Sequence, residues 1–330
     1  MKTTPFIAKT MKKVSRLFPV VILALFAFAP SVTGNYMLRV LNITLITYLC
    51  VLSVYVLLGM CGQNSFAQAG LWGVGAYTAA NMMMKLNLPP IIAMLAAVIG
   101  TALFAFVLGF AFFRLRQYYF TFASVGLMTI LNGLFMNWEP VTGGALGIQN
   151  VPKFSIGALT LTTETSYFYL ILAFCVVVFI AMRLLFYSRL GRAFMAIRDN
   201  EIAANCMGIN SLLTKSIAFG ISGALCGLAG ALYASLSGYL SYQTFTYQQS
   251  TMYLIMIMLG GTASPSGAII GTMIISLLQE WVRPLANFMQ LIYGAGIMVL
   301  MIVQPEGILG GGKALYGMLF NRKKPGAHTY

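Results

Sequence analysis

The chain has 330 residues, of which 59% are hydrophobic and 8% are charged, and its mean hydropathy is +0.86. A soluble domain carries about a quarter charged residues, so one soluble core would not hide this much apolar surface. The formal charge of +14 does not indicate nucleic-acid binding, because Lys and Arg fall in short segments between apolar runs. Composition therefore predicts an all-α polytopic protein embedded in a lipid bilayer.

The residue types exclude several kinds of site. The single histidine is His328 and the single aspartate is Asp199, so neither a Ser-His-Asp triad nor a His-rich metal site can be assembled. The five cysteines form no Cys-x-x-Cys pair and mostly lie in apolar runs, which favours buried free thiols. We therefore predict no catalytic residue, no metal ligand and no enzyme activity.

Long apolar runs predict the membrane-spanning helices. A helix needs about 20 mostly apolar residues to cross the hydrocarbon core of a bilayer. About ten runs meet this need, near 17–33, 38–59, 66–85, 91–113, 118–137, 167–187, 212–236, 247–261, 265–283 and 287–303. Glycine and polar residues interrupt the third, eighth and ninth, which are candidates for broken or re-entrant helices.

These spans form one transmembrane domain over residues 1–330. Its parts are a first span (17–33), an N-terminal helix bundle (38–137), an extracytoplasmic loop (138–166), a span (167–187), a cytoplasmic loop (188–210), a C-terminal helix bundle (212–303) and a tail (304–330). The first span has an alternative interpretation as a signal peptide, since Ala27-Phe28-Ala29 resembles a cleavage site. Pro30 directly after it disfavours cleavage, so we expect a retained helix.

The distribution of Lys and Arg predicts the orientation, because cytoplasmic loops carry an excess of both. With both termini in the cytoplasm, the outer segments hold Arg39, Lys85, Lys153 and Arg283. The inner segments hold Lys2, Lys9, Lys12, Lys13, Arg16, Arg114, Arg116, Arg183, Arg189, Arg192, Arg198, Lys215, Lys313, Arg322, Lys323 and Lys324. The stretch Ser188–Asn210 is then cytoplasmic.

This cytoplasmic stretch concentrates charge in a chain that has little. Leu190, Phe194, Ile197 and the pair Ala203/Ala204 recur at roughly helical spacing and predict an amphipathic helix. Asp199 or Asn200 could cap a second helix, which Gly208 would end. The stretch either fixes the orientation of the chain in the membrane by its positive charge or forms a docking surface for a cytoplasmic partner.

Two groups of glycine and polar residues interrupt the spans. Small residues let helices approach closely, and interrupted segments in two halves of a transporter can also mark the substrate path. The candidate pathway or broken-helix positions are Gly62, Gln63, Ser65, Gly73, Gly75 and Tyr77 in the first group, and Gly260, Gly261 and Thr262 in the second.

The outer loop and the acidic residues complete the pattern. Glycine and β-branched residues in 138–166 predict a small extracytoplasmic hairpin, either a structural loop or a contact for an external binding protein.

All six acidic residues fall in loops or near span ends: Glu139, Glu164, Asp199, Glu201, Glu280 and Glu306. An ion-driven carrier generally needs ionisable groups within the membrane, so this placement disfavours one.

Several motifs resemble those of one transporter family. Glu201-Ile202-Ala203-Ala204 followed by Gly208 resembles the cytoplasmic loop of ABC importer permeases, and Ser188 to Glu201 is similar to its version in branched-chain amino acid permeases of the LivM type. Further matching blocks, over roughly 38–312, are Gly62-Gln63-x-Ser65, Gly73-x-Gly75-Ala76-Tyr77, Thr142-Gly143-Gly144-x-x-Gly147-Ile148, Gly227 to Tyr233, Leu259-Gly260-Gly261 and Pro305-x-Gly307-Ile308-Leu309. Gln304 stands where relatives often have a basic residue.

The resemblance implies an importer built from this chain, a sister permease of the LivH type, two ABC ATPase subunits and an extracytoplasmic solute-binding protein, in a bacterial inner membrane. It implies an ATPase-coupling surface at Arg189, Gly191, Arg192, Arg198, Asp199, Glu201, Ala203, Ala204 and Gly208. The charged residues would be surface contacts, while Phe194, Ile197 and Met207 would pack into the ATPase cleft or onto the spans. Branched-chain or other hydrophobic amino acids are the expected solutes.

The expected energy source lies outside the chain. Gly307 to Ala314 nearly fits a phosphate-binding loop, but Ala314 replaces the required hydroxyl residue, so ATP and Mg²⁺ are expected only on the partner subunits. Three alternatives remain from the sequence: a permease for urea or short amides, an ion-coupled secondary carrier or channel, and a membrane scaffold without solute flux.

Overall fold

The computed structural model describes residues 34–282, apart from 115, 116, 157, 158, 162 and 263. The predicted spans 17–33 and 287–303, the tail 304–330 and the near-match to a phosphate loop lie outside the described residues. Within them, the chain is mostly helical, as the sequence predicts.

The helices and strands are numbered in chain order. The helices are α1 (Asn35–Val54), α2 (Gln68–Lys85), α3 (Pro90–Phe112), α4 (Gln117–Asn137), α5 (Glu139–Thr142), α6 (Glu164–Tyr187), α7 (Arg189–Asp199), α8 (Glu201–Cys206), α9 (Ser211–Ser237), α10 (Tyr247–Gly260) and α11 (Pro265–Val282). A π-helical segment, Tyr55–Met60, continues α1. The strands are β1 (Ile148–Gln149), β2 (Ser155–Ile156), β3 (Leu159–Thr160) and β4 (Tyr239–Leu240).

Helices occupy the positions of all eight spans predicted in this part of the chain. Five are long and apolar enough to cross a membrane: Asn35–Met60, α3, Tyr118–Asn137, α6 and α9. Helices α10 and α11 meet at a bend of 116° and could together make a sixth. By length and composition, five or six of these helices qualify as spans, so the predicted eight over these residues and the total of ten stay predictions.

Helix α2 accounts for part of this difference. It carries Gln68, Asn81 and Lys85, so it is too polar for a lipid-facing span. Most of its residues are nevertheless buried, because it packs against α9 and α3. A helix surrounded by other helices does not need the apolar exterior that a lipid-facing helix needs.

Helix α9 lies at the centre of the packing and contacts α1, α2 and α3. Its glycines allow the close approach of α2: a Cβ atom on Gly230 would lie 2.4 Å from the backbone nitrogen of Ala76. A Cβ atom on Gly75 would likewise lie 2.5 Å from the Cα atom of Gly227. These two contacts explain why α2 and α9 carry glycine where they cross.

The outer-loop prediction of a small hairpin is confirmed within 138–166. Strands β2 and β3 pair antiparallel, with Ser155 opposite Thr160 and Ile156 opposite Leu159. A second pairing joins β1 to β4, which follows α9 and lies far away in sequence. The loop is therefore fastened to the end of α9.

The loop 138–166 and the stretch 188–210 lie at opposite ends of α1 and its π-helical extension. Near the start of α1, Arg39 forms an ion pair with Glu164, and the Tyr36 hydroxyl donates a hydrogen bond to Glu280. At the other end, Arg198 donates a hydrogen bond to the Gly59 carbonyl oxygen. This arrangement agrees with the predicted assignment of the two loops to opposite faces of the membrane.

The glycine crossing predicts a position-specific effect on stability. Gly230→Ala should lower the apparent Tm of the purified protein in detergent, because the new methyl group meets backbone atoms that cannot move aside; overpacking of this kind costs roughly 1–3 kcal/mol. Gly100→Ala in α3 is the matched control, since a Cβ atom there has no neighbour within 4 Å. Equal Tm values for the two variants would contradict the close-packing explanation.

Candidate functional site

The stretch 188–210 folds as two short helices, α7 and α8, which we call the coupling hairpin (residues 188–210) after the role that the sequence predicts for it. Each helix starts at a capping side chain, as the pattern of polar residues requires. The Ser188 hydroxyl accepts a hydrogen bond from the Gly191 N–H (3.1 Å), and the Asn200 side chain accepts one from the Ala203 N–H (3.0 Å). Of the two caps predicted for the second helix, the structure selects Asn200.

Two glycines shape the turns of the coupling hairpin. Gly208 has a φ of +84° after the end of α8, which confirms the predicted helix stop. A Cβ atom on Gly191 would lie 2.1 Å from the Leu185 carbonyl oxygen, so α7 can fold back on the end of α6 only with glycine there.

The coupling hairpin buries one face and exposes the other. Phe194, Ile197 and Ala204 are buried, and Phe194 and Ile197 confirm the predicted apolar face. Two apolar residues on the opposite side are largely exposed, Ile202 (77%) and Met207 (83%). Ile202 and Met207 are therefore the most exposed large apolar residues of the hairpin.

The predicted apolar face of the hairpin is wrong at Leu190. The sequence pattern placed it with Phe194 and Ile197, but its side chain is exposed. The helix turns 100° per residue, so Gly191 rather than Leu190 shares the buried face with Phe194 and lies against the end of α6. Ala203, which the pattern also placed on the apolar face, is likewise exposed, as are Arg189 and Arg192.

Two predicted surface charges instead bind the chain's own spans. The Arg198 guanidinium donates to the Gly59 carbonyl oxygen (2.7 Å) and to the Asp199 carboxylate (3.1 and 3.2 Å). Glu201 forms an ion pair (2.6 Å) with Lys215, a residue of α9 whose side chain is only 5% exposed. The coupling hairpin is thus joined to the end of the α1 span and to the central helix.

The first glycine group forms a break in the helical backbone. The chain leaves helical geometry after Cys61 and resumes it at Gln68, and Gly62 in between has a φ of +71°. Side chains from other helices supply hydrogen bonds: the Ser124 hydroxyl accepts from the Phe66 N–H and the Ser250 hydroxyl from the Ala69 N–H, each at 3.0 Å. The backbone is therefore non-helical at 62–67, between the second and third predicted spans, whereas the third span itself, a candidate for a broken helix, is continuous over Gln68–Lys85.

Gly73 and Gly75 lie beyond this break and serve close packing. A Cβ atom on Gly73 would lie 2.5 Å from the Phe135 ring, and Gly75 meets Gly227 as described above. Their geometry favours the close-approach explanation, and a role in a substrate path stays a prediction for them.

Several polar side chains along the break and α2 are buried without a hydrogen-bond partner among the described residues. These atoms are the Gln63 Oε1, both amide atoms of Gln68, the Trp72 Nε1 and the Tyr77 hydroxyl. Buried polar atoms in proteins are normally paired, so these groups are free to bind a polar solute or water. Ser65 is also buried, and its hydroxyl accepts from the Ala67 N–H.

The second glycine group forms the bend between α10 and α11. A Cβ atom on Gly260 would lie 1.9 Å from the Gly267 carbonyl oxygen, and Gly261 has a φ of +106°. A Cβ atom on Gly59 would lie 2.7 Å from the Thr262 carbonyl oxygen. Gly59, three residues before Gly62 of the first glycine group, therefore lies against Thr262 of the second group. Sequence reasoning did not predict this contact.

Sequence reasoning also missed a cavity at the other end of α1. It has a volume of about 520 Å³, and Arg39, Lys153, Glu164 and Tyr167 are among its lining residues. The ion pair between Arg39 and Glu164 (3.2 Å) borders it. The sequence did carry a signal for this cavity, because the opposite charges Arg39 and Glu164 lie at the starts of two apolar runs.

Residues 36–304 match the family model described as the permease component of the branched-chain amino acid transport system. The chain belongs to this family. The predicted family is therefore confirmed, and the matched range contains the coupling hairpin and both glycine groups.

Individual members of the permease family agree with this match. The chain is 29% identical over 323 residues, covering 89% of this chain and 75% of the relative, to the high-affinity branched-chain amino acid transport system permease protein LivM of Escherichia coli (strain K12). It is 28% identical to LivM of Salmonella typhimurium (strain LT2), with the same coverage. To LivH of that organism it is 24% identical, over 76% of this chain and 87% of the relative. No solved structure matches.

Family membership and the apolar helices together identify a multi-pass membrane protein that acts as a transport component. The relatives are permease proteins rather than enzymes, which supports the same role for this chain.

The ion pair between the coupling hairpin and α9 predicts a measurable stability effect. Glu201→Gln should lower the apparent Tm, because the buried Lys215 ammonium loses its carboxylate; an unpaired buried group costs roughly 1–3 kcal/mol. Adding Lys215→Met should restore most of the loss, since it removes the unpaired charge. Glu139→Gln, at an exposed glutamate, is the control. A double variant no more stable than Glu201→Gln would contradict this pairing.

Proposed function

We propose that this chain is the transmembrane permease subunit of an ATP-driven importer for branched-chain amino acids in a bacterial inner membrane. The observation that carries the proposal is the coupling hairpin: in a chain of this permease family, it exposes Ile202 and Met207 while its other face is fixed to the spans. Such a hairpin can receive force from a partner and pass it to the membrane domain.

The partner on the hairpin is an ATPase subunit. The exposed surface combines the apolar side chains of Ile202, Met207 and Leu190 with the cations Arg189 and Arg192. Apolar groups supply the binding energy of an interface, and charges at its rim fix the orientation of the partner. ATP and Mg²⁺ are bound by two such ATPase subunits, and closure of their dimer moves the hairpin.

The remaining partners are a sister permease of the LivH type and an extracytoplasmic solute-binding protein. The similarity to both LivM and LivH relatives, each named as a permease of a branched-chain amino acid system, supports pairing of two related permeases. The solute-binding protein delivers its cargo on the face that carries the β2–β3 hairpin.

The placement of charge supports an external energy source. Among the described residues, the acidic side chains all lie close to helix ends: Glu139, Glu164, Asp199, Glu201 and Glu280. None of these positions offers a carboxylate at mid-membrane to carry a coupling ion. Ion-coupled transport is therefore disfavoured relative to ATP-driven transport.

The docking surface can be tested by adding a charge to its apolar part. Ile202→Asp should reduce ATPase subunits co-purifying with the tagged chain from native membranes by about tenfold or more, because an apolar contact becomes a buried carboxylate. Leu146→Asp is the matched control, since Leu146 is equally exposed but lies in the loop at the opposite end of the molecule. Full ATPase recovery with Ile202→Asp would remove the docking role of this surface.

The solute class is tested by competition for uptake. Cells that express this chain together with the partners identified by co-purification should take up radiolabelled leucine. An excess of unlabelled isoleucine or valine should inhibit this uptake, whereas an excess of urea should not. Depleting ATP while keeping the ion gradient should stop uptake. Inhibition by urea alone would identify a carrier of short amides, and uptake that persists without ATP would identify an ion-coupled carrier.

A further inference from the structure

We propose that Arg198 is the positioning residue that transmits movement of the coupling hairpin to the point where both broken helices meet. Its guanidinium donates to the Gly59 carbonyl oxygen at 2.7 Å, across 139 residues of sequence. The inference rests on the proposed ATP-driven function and assigns to one side chain the connection between the docking surface and the spans.

The acceptor is a backbone carbonyl that a helix end leaves available. Gly59 lies in the π-helical segment Tyr55–Met60, immediately before the break that starts at Gly62. The last carbonyl groups of a helix have no partner within the helix, so the carbonyl group of the buried Gly59 must find a donor elsewhere in the protein. Arg198 supplies that donor, so movement of α7 displaces the end of the α1 span directly.

Backbone packing reinforces this hydrogen bond. A Cβ atom on Gly62 would lie 2.8 Å from the Arg198 Cγ and 3.3 Å from its Cα. The absence of a side chain at Gly62 therefore lets α7 lie directly on the break. Rigid contact of this kind transmits displacement, whereas a long flexible contact would absorb it.

The second broken segment lies at the same place. A Cβ atom on Gly59 would be 2.7 Å from the Thr262 carbonyl oxygen, in the bend between α10 and α11. One residue thus contacts the hairpin through its carbonyl group and the second bend through its Cα. Displacement of Arg198 acts on both interrupted segments.

Two further donors of Arg198 bind the neighbouring Asp199. Asp199 Oδ1 accepts from the Arg198 Nε at 3.2 Å and from its Nη2 at 3.1 Å. The planar guanidinium therefore has a fixed orientation, with the Nη1 directed at Gly59. A lysine keeps the charge but has no second arm to be held in this way.

The test separates transport from ATP hydrolysis in the complete importer. Arg198→Met and Arg198→Lys are compared with wild type and with Arg114→Met, a control that removes a cation from the same predicted face, where Arg114 lies over the Phe110 ring. Three quantities are measured: ATPase subunits per permease, ATP hydrolysis, and solute uptake. Both Arg198 variants should keep full ATPase recovery and hydrolysis, while uptake per ATP hydrolysed falls about tenfold, within the usual range of coupling between sites.

Each other result overturns the inference in a distinguishable way. Unchanged uptake per ATP in both variants would show that the Gly59 contact transmits nothing. Loss of ATPase recovery together with uptake would make Arg198 a docking contact instead. If Arg198→Met fails to accumulate, Arg198→Lys decides the question. Wild-type uptake per ATP hydrolysed in Arg198→Lys would show that the guanidinium contact with Gly59 and Asp199 is not needed. Absence of ATPase subunits from the wild-type preparation would overturn the proposed function itself.

Discussion

A lipid bilayer offers no water to backbone N–H and C=O groups, so every interruption of a helix must find its partners inside the protein. This constraint organises the end of the first described span. Hydroxyl groups of Ser124 and Ser250 accept from the N–H groups of the break, and Arg198 donates to the Gly59 carbonyl group. Satisfying one interruption therefore ties together α1, α4, α10 and the coupling hairpin.

Glycine makes this arrangement possible in two different ways. At Gly75, Gly227 and Gly230 it removes side chains between crossing helices, which seats α2 against the central helix α9. At Gly62 and Gly261 it permits a backbone with positive φ, which ends one helical segment before the next begins. The first use concerns contacts between helices, and the second concerns the path of the backbone from one helical segment to the next.

The two ion pairs that join different helices lie at opposite ends of the described structure. Arg39 and Glu164 join α1 to α6 at the end that carries the β-hairpin, while Lys215 and Glu201 join α9 to the coupling hairpin at the opposite end. Between these layers the described interior holds mainly apolar and uncharged polar side chains. In the proposed mechanism, force delivered at the coupling hairpin reaches the spans through these polar contacts.

The sequence by itself determined the features that depend on neighbouring residues. Hydropathy located the helices, the capping residues Ser188 and Asn200 set the starts of the two helices of the coupling hairpin, and glycine with β-branched residues predicted the hairpin β2–β3. Tertiary structure alone decided that the polar helix α2 is buried, that β1 pairs with β4, and that Arg198 reaches Gly59. It also showed that Leu190 faces outward. These outcomes depend on how distant helices cross, and local periodicity carries no information about which side chains such a crossing brings into contact.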